Sequence, residues 1–256
     1  MHFERLIALL ELIAAAGRPV TVAELQRATD LPRPTCYRLL QTLVQHQLIS
    51  SPNNDGRYLI GDRLIRIALL GTSDNDICQA VAPVLRKAAS ELGDTVFLSR
   101  LRGGEVEIIH AETPDDPTRP YIHPGLGRRP LHACSCAKAI AAFAEPAFQQ
   151  QLLNDDLARF TEHTKTTPDE IRAELDAIIR RGFAECNQEI ETGIASVAAP
   201  VRLGNVGVTF SVGATGSSRK FSPRYREKLG ERLQQMAGEV GGAIQLCNID
   251  RAQGTA

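Results

Sequence analysis

The chain has 256 residues, 29 Lys and Arg against 30 Asp and Glu, six Cys, no Trp and 43% hydrophobic residues. That composition fits a globular protein with a real core and excludes disordered, collagen-like and disulfide-scaffold classes, while a length of about 100–200 residues per domain allows one large domain or two smaller ones. The near-neutral total hides an asymmetry: residues 1–72 hold eight cations, all arginine, against six anions, and the rest of the chain holds 21 against 24.

Phe3, Leu6, Ile7, Leu10, Ile13 and Ala14 follow the i, i+3, i+4, i+7 spacing of an amphipathic helix with those residues turned inward, and Gly17 and Pro19 stop it. The run from Leu6 through Ala16 has the outline of a secretory signal, but Glu4 and Glu11 place charges where a signal core tolerates none, so a cytoplasmic helix is expected. No apolar run reaches the ~18–20 residues that cross a bilayer. In a reduced cytoplasm, six cysteines without a Cys-x-x-Cys pair point to free thiols or a metal site.

Thr21-Val22-Ala23-Glu24 is a capping box opening a short second helix with Val22, Leu25 and Ala28 inward, broken at Asp30-Leu31-Pro32. A third helix starts near Pro34 and runs to about His46 with Cys36, Leu39, Leu40 and Leu43 inward. Its polar face shows Arg33, Thr35, Arg38, Gln41, Thr42 and Gln45. A short helix, a tight turn and a longer helix with a hydrogen-bonding outer face have the layout of a helix-turn-helix, and arginine's planar fork suits phosphates and guanine edges. Leu48-Ile49-Ser50, the turn at Asn53-Asn54-Asp55-Gly56, and Arg57–Ile60 then read as a hairpin, which after a recognition helix is a wing carrying Arg57.

Asp62 to about Leu70 reads as a linker helix, and the small polar stretch Gly71–Asp76 places a domain boundary near residue 73, giving domains 1–72 and 73–256. Ile77, Val81, Val84, Leu85, Ala88 and Leu92 make a helix; Thr95–Leu101 and Glu105–Ala111 flank Gly103-Gly104 as a hairpin, followed by a Pro-rich loop, Pro114–Pro130. Helices are expected over Ala133–Ala144 and Ala147–Leu153, and from Thr167 to Gly182. Ala195–Arg202 and Val206–Val212 form a second hairpin around Gly204, and Ser222-Pro223 opens a last long helix. The order implies an α+β domain with an antiparallel sheet.

The run Leu31-Pro32-Arg33-Pro34-Thr35-Cys36-Tyr37-Arg38-Leu39-Leu40-Gln41-Thr42-Leu43, followed by Tyr58–Leu64, resembles the DNA-binding domain and linker of IclR-type bacterial transcriptional regulators. Gly127–Ala133, Ala137-Lys138-Ala139, Arg181-Gly182-Phe183, Glu189, Gly193 and Ala198-Ala199-Pro200 resemble that family's effector-binding domain. The resemblance implies an N-terminal winged helix-turn-helix joined to a GAF- or profilin-like domain that binds a small carboxylate, keto acid or aromatic acid.

Arg33, Thr35, Arg38 and Gln41, with Arg57 on the wing, are the candidate contacts to a duplex DNA operator. Because one recognition helix reads few base pairs, a homodimer or dimer of dimers is expected. The backbone N–H groups of Ala133, Cys134 and Ser135, at a helix start, suit an anion. The resemblance places Cys186, Ser196 and Ser211 in the same pocket. Some family members carry an acidic residue where Cys186 stands, and Ser211 with Gly213 offers one hydroxyl rather than two. A sharper alternative uses His132, Cys134, Cys136 and Cys186 as zinc or thiol-sensing ligands, and a thiolate at Cys134 with His132 or His110 as base would make a nucleophile. No phosphate loop, nucleophile elbow or third orienting group accompanies these residues, so a regulator without cofactor, metal or enzymatic activity, more often a repressor than an activator, is the expectation.

Overall fold

Local signals in the first seventy residues translate almost directly into elements. The structure, a computed structural model, describes residues 2–52, 55–115, 121–203 and 207–253. Helices α1 (His2–Ala16), α2 (Val22–Thr29), α3 (Arg33–Gln45) and α4 (Asp62–Gly71) accompany short strands β1 (Val20–Thr21), β2 (Ile49–Ser50) and β3 (Arg57–Ile60). The strands form an antiparallel sheet in the order β1-β3-β2, with Ile49 opposite Ile60 and Val20 opposite Tyr58. Asn53 and Asn54 of the expected wing turn lie outside the described residues. Strand β1, only two residues long, carries no periodicity of its own and was not legible in the sequence.

The capping box of α2 is present. The Glu24 N–H donates to the Thr21 hydroxyl at 3.3 Å and the Thr21 N–H donates to the Glu24 carboxylate at 2.8 Å. Arg18 adds an ion pair at 2.7 Å. Hydrogen bonding from Arg18, then from Thr21, holds the Glu24 carboxyl at about 2. A depressed folded-state pKa contributes stability that is complete above the ordinary carboxylate range and is lost as pH falls through the folded value. We therefore expect Glu24→Gln to flatten the acid limb of a melting-temperature profile between about pH 5 and pH 2; an unaltered limb would show the network to be solvated away. Thr21→Ala should cost about 1 kcal/mol.

The core of this part is Leu9, Ile13, Val20, Leu25, Cys36, Leu39, Leu40, Leu43, Ile49 and Tyr58. The four inward residues expected on α3 are all buried, whereas the face expected for α1 is only partly right. Phe3 is 72% and Ile7 39% exposed, and Ala14 and Ala28 are exposed as well. Apolar residues occupy more than one face of α1, so spacing alone does not say which stripe meets the core.

The chain divides into two compact units, Met1–Gly71 and Thr72–Ala256. The second contains α5 (Asp74–Leu92), β4 (Thr95–Arg102), β5 (Glu105–Glu112), β6 (Gly127–Arg128), α6 (Ser135–Ala141), α7 (Pro146–Asn154), α8 (Pro168–Arg181), β7 (Ala184–Asn187), β8 (Ile194–Arg202), β9 (Val208–Ser217) and α9 (Pro223–Gln253). Its sheet has six antiparallel strands in the order β6-β5-β4-β9-β8-β7. Nearly every residue of β4, β8 and β9 is buried, the pattern of strands covered on both faces. Helices α5 and α9 pack against each other and the sheet, as does α6, which also touches α7 and α8. Helix α6 is shorter than the expected Ala133–Ala144, with Cys134 as its N-cap and Ala133 in the preceding turn. Strands β6 and β7 were not expected. The hairpin turn at Gly204 and Val206, and residues 116–120 of the Pro-rich loop, lie outside the described residues. Strand β9 runs past the expected Val212 because Gly213 is a close-approach residue, not a breaker: a Cβ there would sit 2.4 Å from the Phe97 ring.

Candidate functional site

Pro32 caps α3 with Pro34 in its first turn, and the buried row Cys36, Leu39, Leu40, Leu43 fixes which face remains outside. Arg33, Arg38 and Gln41 are exposed on that face, Thr35 half-buried. Among the described residues the side chains of Arg33, Arg38 and Gln41 have no hydrogen-bond or ion-pair partner, so three donors stand ready for an external acceptor. Thr42 is otherwise engaged, its hydroxyl donating to the Arg38 carbonyl at 3.0 Å. Tyr37, 49% exposed on the same helix, was not singled out in the sequence, because an aromatic residue between core positions reads as packing. On the wing, Arg57 is exposed and only loosely paired with Asp55 at 3.9 Å. A wide groove of about 740 Å³ lies between α1 and the α2–α3 turn, but no buried polar group among its lining residues converges on it.

In the second unit a cavity of about 110 Å³ is lined by Phe97, Ile108, Ile122, Arg129, Cys134, Cys186, Ile190, Ser196 and Thr215, among others. The sheet register explains the convergence. Ser196 on β8 lies opposite Cys186 on β7 and Thr215 on β9, forming one row across three strands. The N-cap of α6 closes over that row, where the Ser135 and Ser196 hydroxyls meet at 2.7 Å. Three of the expected pocket residues, Cys134, Cys186 and Ser196, therefore line one cavity, with Ser135 hydrogen-bonded behind Ser196. Ala133 is buried outside the lining. Ser211 also lies elsewhere: it sits opposite Ser99 and Pro200 and donates its hydroxyl to the Cys136 carbonyl at 3.1 Å. Four strand residues, or about 13 Å, separate it from Thr215, and Thr215, whose hydroxyl donates to the Ala195 carbonyl at 3.2 Å, is the β9 residue that lines the cavity.

The loop between β7 and β8 supplies Ile190 and Glu191 to the wall. It is anchored by Glu189, which accepts from the fully buried Lys138 of α6 at 2.7 and 2.9 Å. The Thr161 and Thr164 hydroxyls donate to the Gln188 and Glu189 carbonyls at 2.7 and 2.6 Å.

Cys134 and Cys136 place their sulfurs 3.2 Å apart. The hydrogen bond to Cys136, reinforced by burial, pushes the Cys134 thiol well above the ordinary range, and burial raises Cys186 to about 11. A metal ligand or nucleophile needs a thiolate, which the surroundings of Cys134 and Cys186 oppose; at Cys136 burial also works against one, but hydrogen bonds from Cys134 and Ser99 lower the thiol. His132 is turned to the Ala158 carbonyl at 2.9 Å and stacks on Phe160, while His110 is engaged by Glu112 at 3.0 Å. Among the described residues no group of three His, Cys, Asp or Glu side chains is placed to hold a metal ion.

Residues 3–51 match the IclR helix-turn-helix domain, and residues 70–241 match the bacterial transcriptional regulator IclR C-terminal domain. The chain belongs to the IclR family of bacterial transcriptional regulators. It is 31% identical to the Glycerol operon regulatory protein of Streptomyces coelicolor over 218 residues, 82% of this chain and 84% of that one. It is 27% identical to the Transcriptional repressor IclR of Escherichia coli over 193 residues, covering 75% and 70%. The Thermotoga maritima IclR structure superposes with a TM-score of 0.60 at 24% identity, covering 94% of this chain and 98% of that one. An IclR homolog from Microbacterium hydrocarbonoxydans, complexed with 4-hydroxybenzoate, gives 0.60 at 22%, covering 96% and 100%. These two structures show the shared fold. In an IclR-family chain the α2–α3 pair is the DNA-binding helix-turn-helix, so the helix-turn-helix and sheet-domain expectations are met. No helix among the described residues is long and apolar enough to cross a membrane.

Proposed function

We propose that this IclR-family regulator is an operator-binding repressor whose DNA affinity is set by a small organic acid bound in the cavity beneath α6. The observation that carries the reading is the convergence of Ser196, Cys134, Cys186 and Thr215 on one small apolar-walled space. A few polar groups in an otherwise apolar concavity is the usual make-up of a ligand site, and about 110 Å³ is small beside the ~300–1,000 Å³ of drug-sized pockets. A compact metabolite fits such a space, and the aromatic-acid complex of the Microbacterium relative supports the class.

Operator binding by a homodimer, or by a dimer of dimers, is supported by α1. Phe3, Ile7 and Ala14 form an exposed stripe at helical spacing, and a second copy is the simplest cover for it. The ligand acts by linkage, binding one arrangement of the dimer better, and a coupling of about 1–3 kcal/mol changes operator affinity roughly 5- to 150-fold.

A thermal-shift screen of keto acids, small carboxylates and aromatic acids tests the site. A native-state ligand at 100 times its Kd adds about 2.7 kcal/mol. Cys134→Trp, which fills the cavity, should abolish the shift, and Ser196→Ala should weaken binding by roughly 0.5–1.5 kcal/mol, both leaving operator binding of the free protein intact. A shift that survives Cys134→Trp places the ligand elsewhere.

A further inference from the structure

Among the described residues, Arg129 is the one arginine or lysine lining the cavity. Its backbone N–H donates to the Val106 carbonyl at 2.8 Å, and its Nη2 donates to the carbonyls of Pro124 and Gly125, which holds the guanidinium against the loop that forms the cavity's rim. Its Nε is buried and has no hydrogen-bond partner, and among the described residues no carboxylate lies within ion-pair distance of it. The residue as a whole is half-buried, and an N–H held out of solvent without an acceptor is costly.

We propose that Arg129 is the specificity-determining residue of the cavity, supplying a charge-assisted hydrogen bond from its guanidinium to a ligand carboxylate whose remaining atoms meet Ser196, Thr215 and the Phe97 ring. The inference rests on reading this cavity as the effector site and adds to it the group that selects an anion. The backbone N–H groups before α6 were expected to do so, but α6 has seven residues and its N-cap, Cys134, makes no side-chain cap. The positive charge of Arg129 acts on the Cys134 and Cys136 thiols, favouring their ionised forms, which places its field on this cavity's wall. Arg129 also borders a second pocket of about 350 Å³ beside His132 and Phe160, where Glu105, Asp155 and Asp156 set three carboxylates against Arg128 and Arg129, whereas Glu191 is the one carboxylate among the described residues lining the cavity.

The test compares matched pairs on the full-length protein by calorimetry: benzoate with benzamide, pyruvate with pyruvamide, propionate with propionamide. Wild type should prefer the acid in at least one pair. Arg129→Gln, which keeps an amide donor on the side chain but removes the charge, should weaken acid binding roughly 10- to 100-fold while leaving the amide within about two-fold, and Arg129→Lys should keep part of the preference. Equal losses for acid and amide would assign Arg129 a structural role and overturn the inference, with the cavity reading intact. Acid binding that is indifferent to both Cys134→Trp and Ser196→Ala, or no binding of any probe, would remove the cavity reading and this inference with it.

Discussion

Glu189→Ala should destabilise the second unit by about 3–5 kcal/mol, the range for breaking a buried ion pair by deleting one partner. Lys138 has no exposed surface and Glu189 is 4% exposed. Without Glu189 the Lys138 ammonium keeps, among the described residues, only Glu174, at 3.8 Å. The pair belongs to a larger cluster in which Lys165 and Arg181 each reach Glu174, at 3.0 and 2.9 Å. Burial alone would raise the Glu174 carboxyl, yet Lys138 and Lys165 hold it below the usual range, as expected where cations outnumber carboxylates. The joint change Lys138→Met with Glu189→Leu should cost less than the sum of the single changes, since neither charge is then left alone. Urea unfolding of the wild type, Lys138→Met, Glu189→Leu and the double variant decides this, with Glu189→Ala measured beside them; a loss below about 1 kcal/mol for Glu189→Ala would mean that water replaces the carboxylate. Glu189→Gln, nearly isosteric, should also loosen the loop bearing Ile190 and Glu191 and so weaken ligand binding.

That cluster shows where sequence reading stops. The capping box at Thr21, the helix start at Thr167, the α3 core row and the Gly103-Gly104 hairpin are encoded within a few residues and were legible. The Lys138–Glu189 pair joins residues 51 apart, and no local spacing announces it. The same limit governs the cavity. Period two tells which face of β9 a residue occupies, so Ser211 and Thr215 are equivalent by alternation; the pairing of Thr95 with Thr215 and of Ser196 with Thr215 chooses between them. His132 beside two cysteines suggested a metal site, but the turn before α6 sends its ring to Ala158. Phe3 and Ile7 were assigned inward because periodicity reports amphipathicity without saying whether the apolar stripe meets this chain's core or another surface.

Arg38→Ala should abolish operator binding at ordinary protein concentrations while leaving the melting temperature unchanged. The side chain is exposed and has no partner among the described residues, so its removal creates neither a cavity nor an orphaned charge. A good arginine contact to a base is worth about 1–3 kcal/mol. In a two-fold dimer it is lost twice, so operator affinity should fall by about 2–6 kcal/mol, roughly 30- to 20,000-fold. The variant separates two roles. If Arg38 reads a base, the loss falls on the operator, and affinity for unrelated duplex changes little. If it grips a phosphate, both fall together and the salt dependence of binding flattens by about one counterion per copy. Arg57→Ala on the wing should give the second pattern with a smaller loss. Doubling of the loss depends on two copies binding together, so Phe3→Glu with Ile7→Glu supplies the control: it should yield a monomer whose operator affinity is already low and in which Arg38→Ala costs only the single-contact amount. A gel shift unchanged by Arg38→Ala would remove α3 as the reading helix, whatever the oligomeric state.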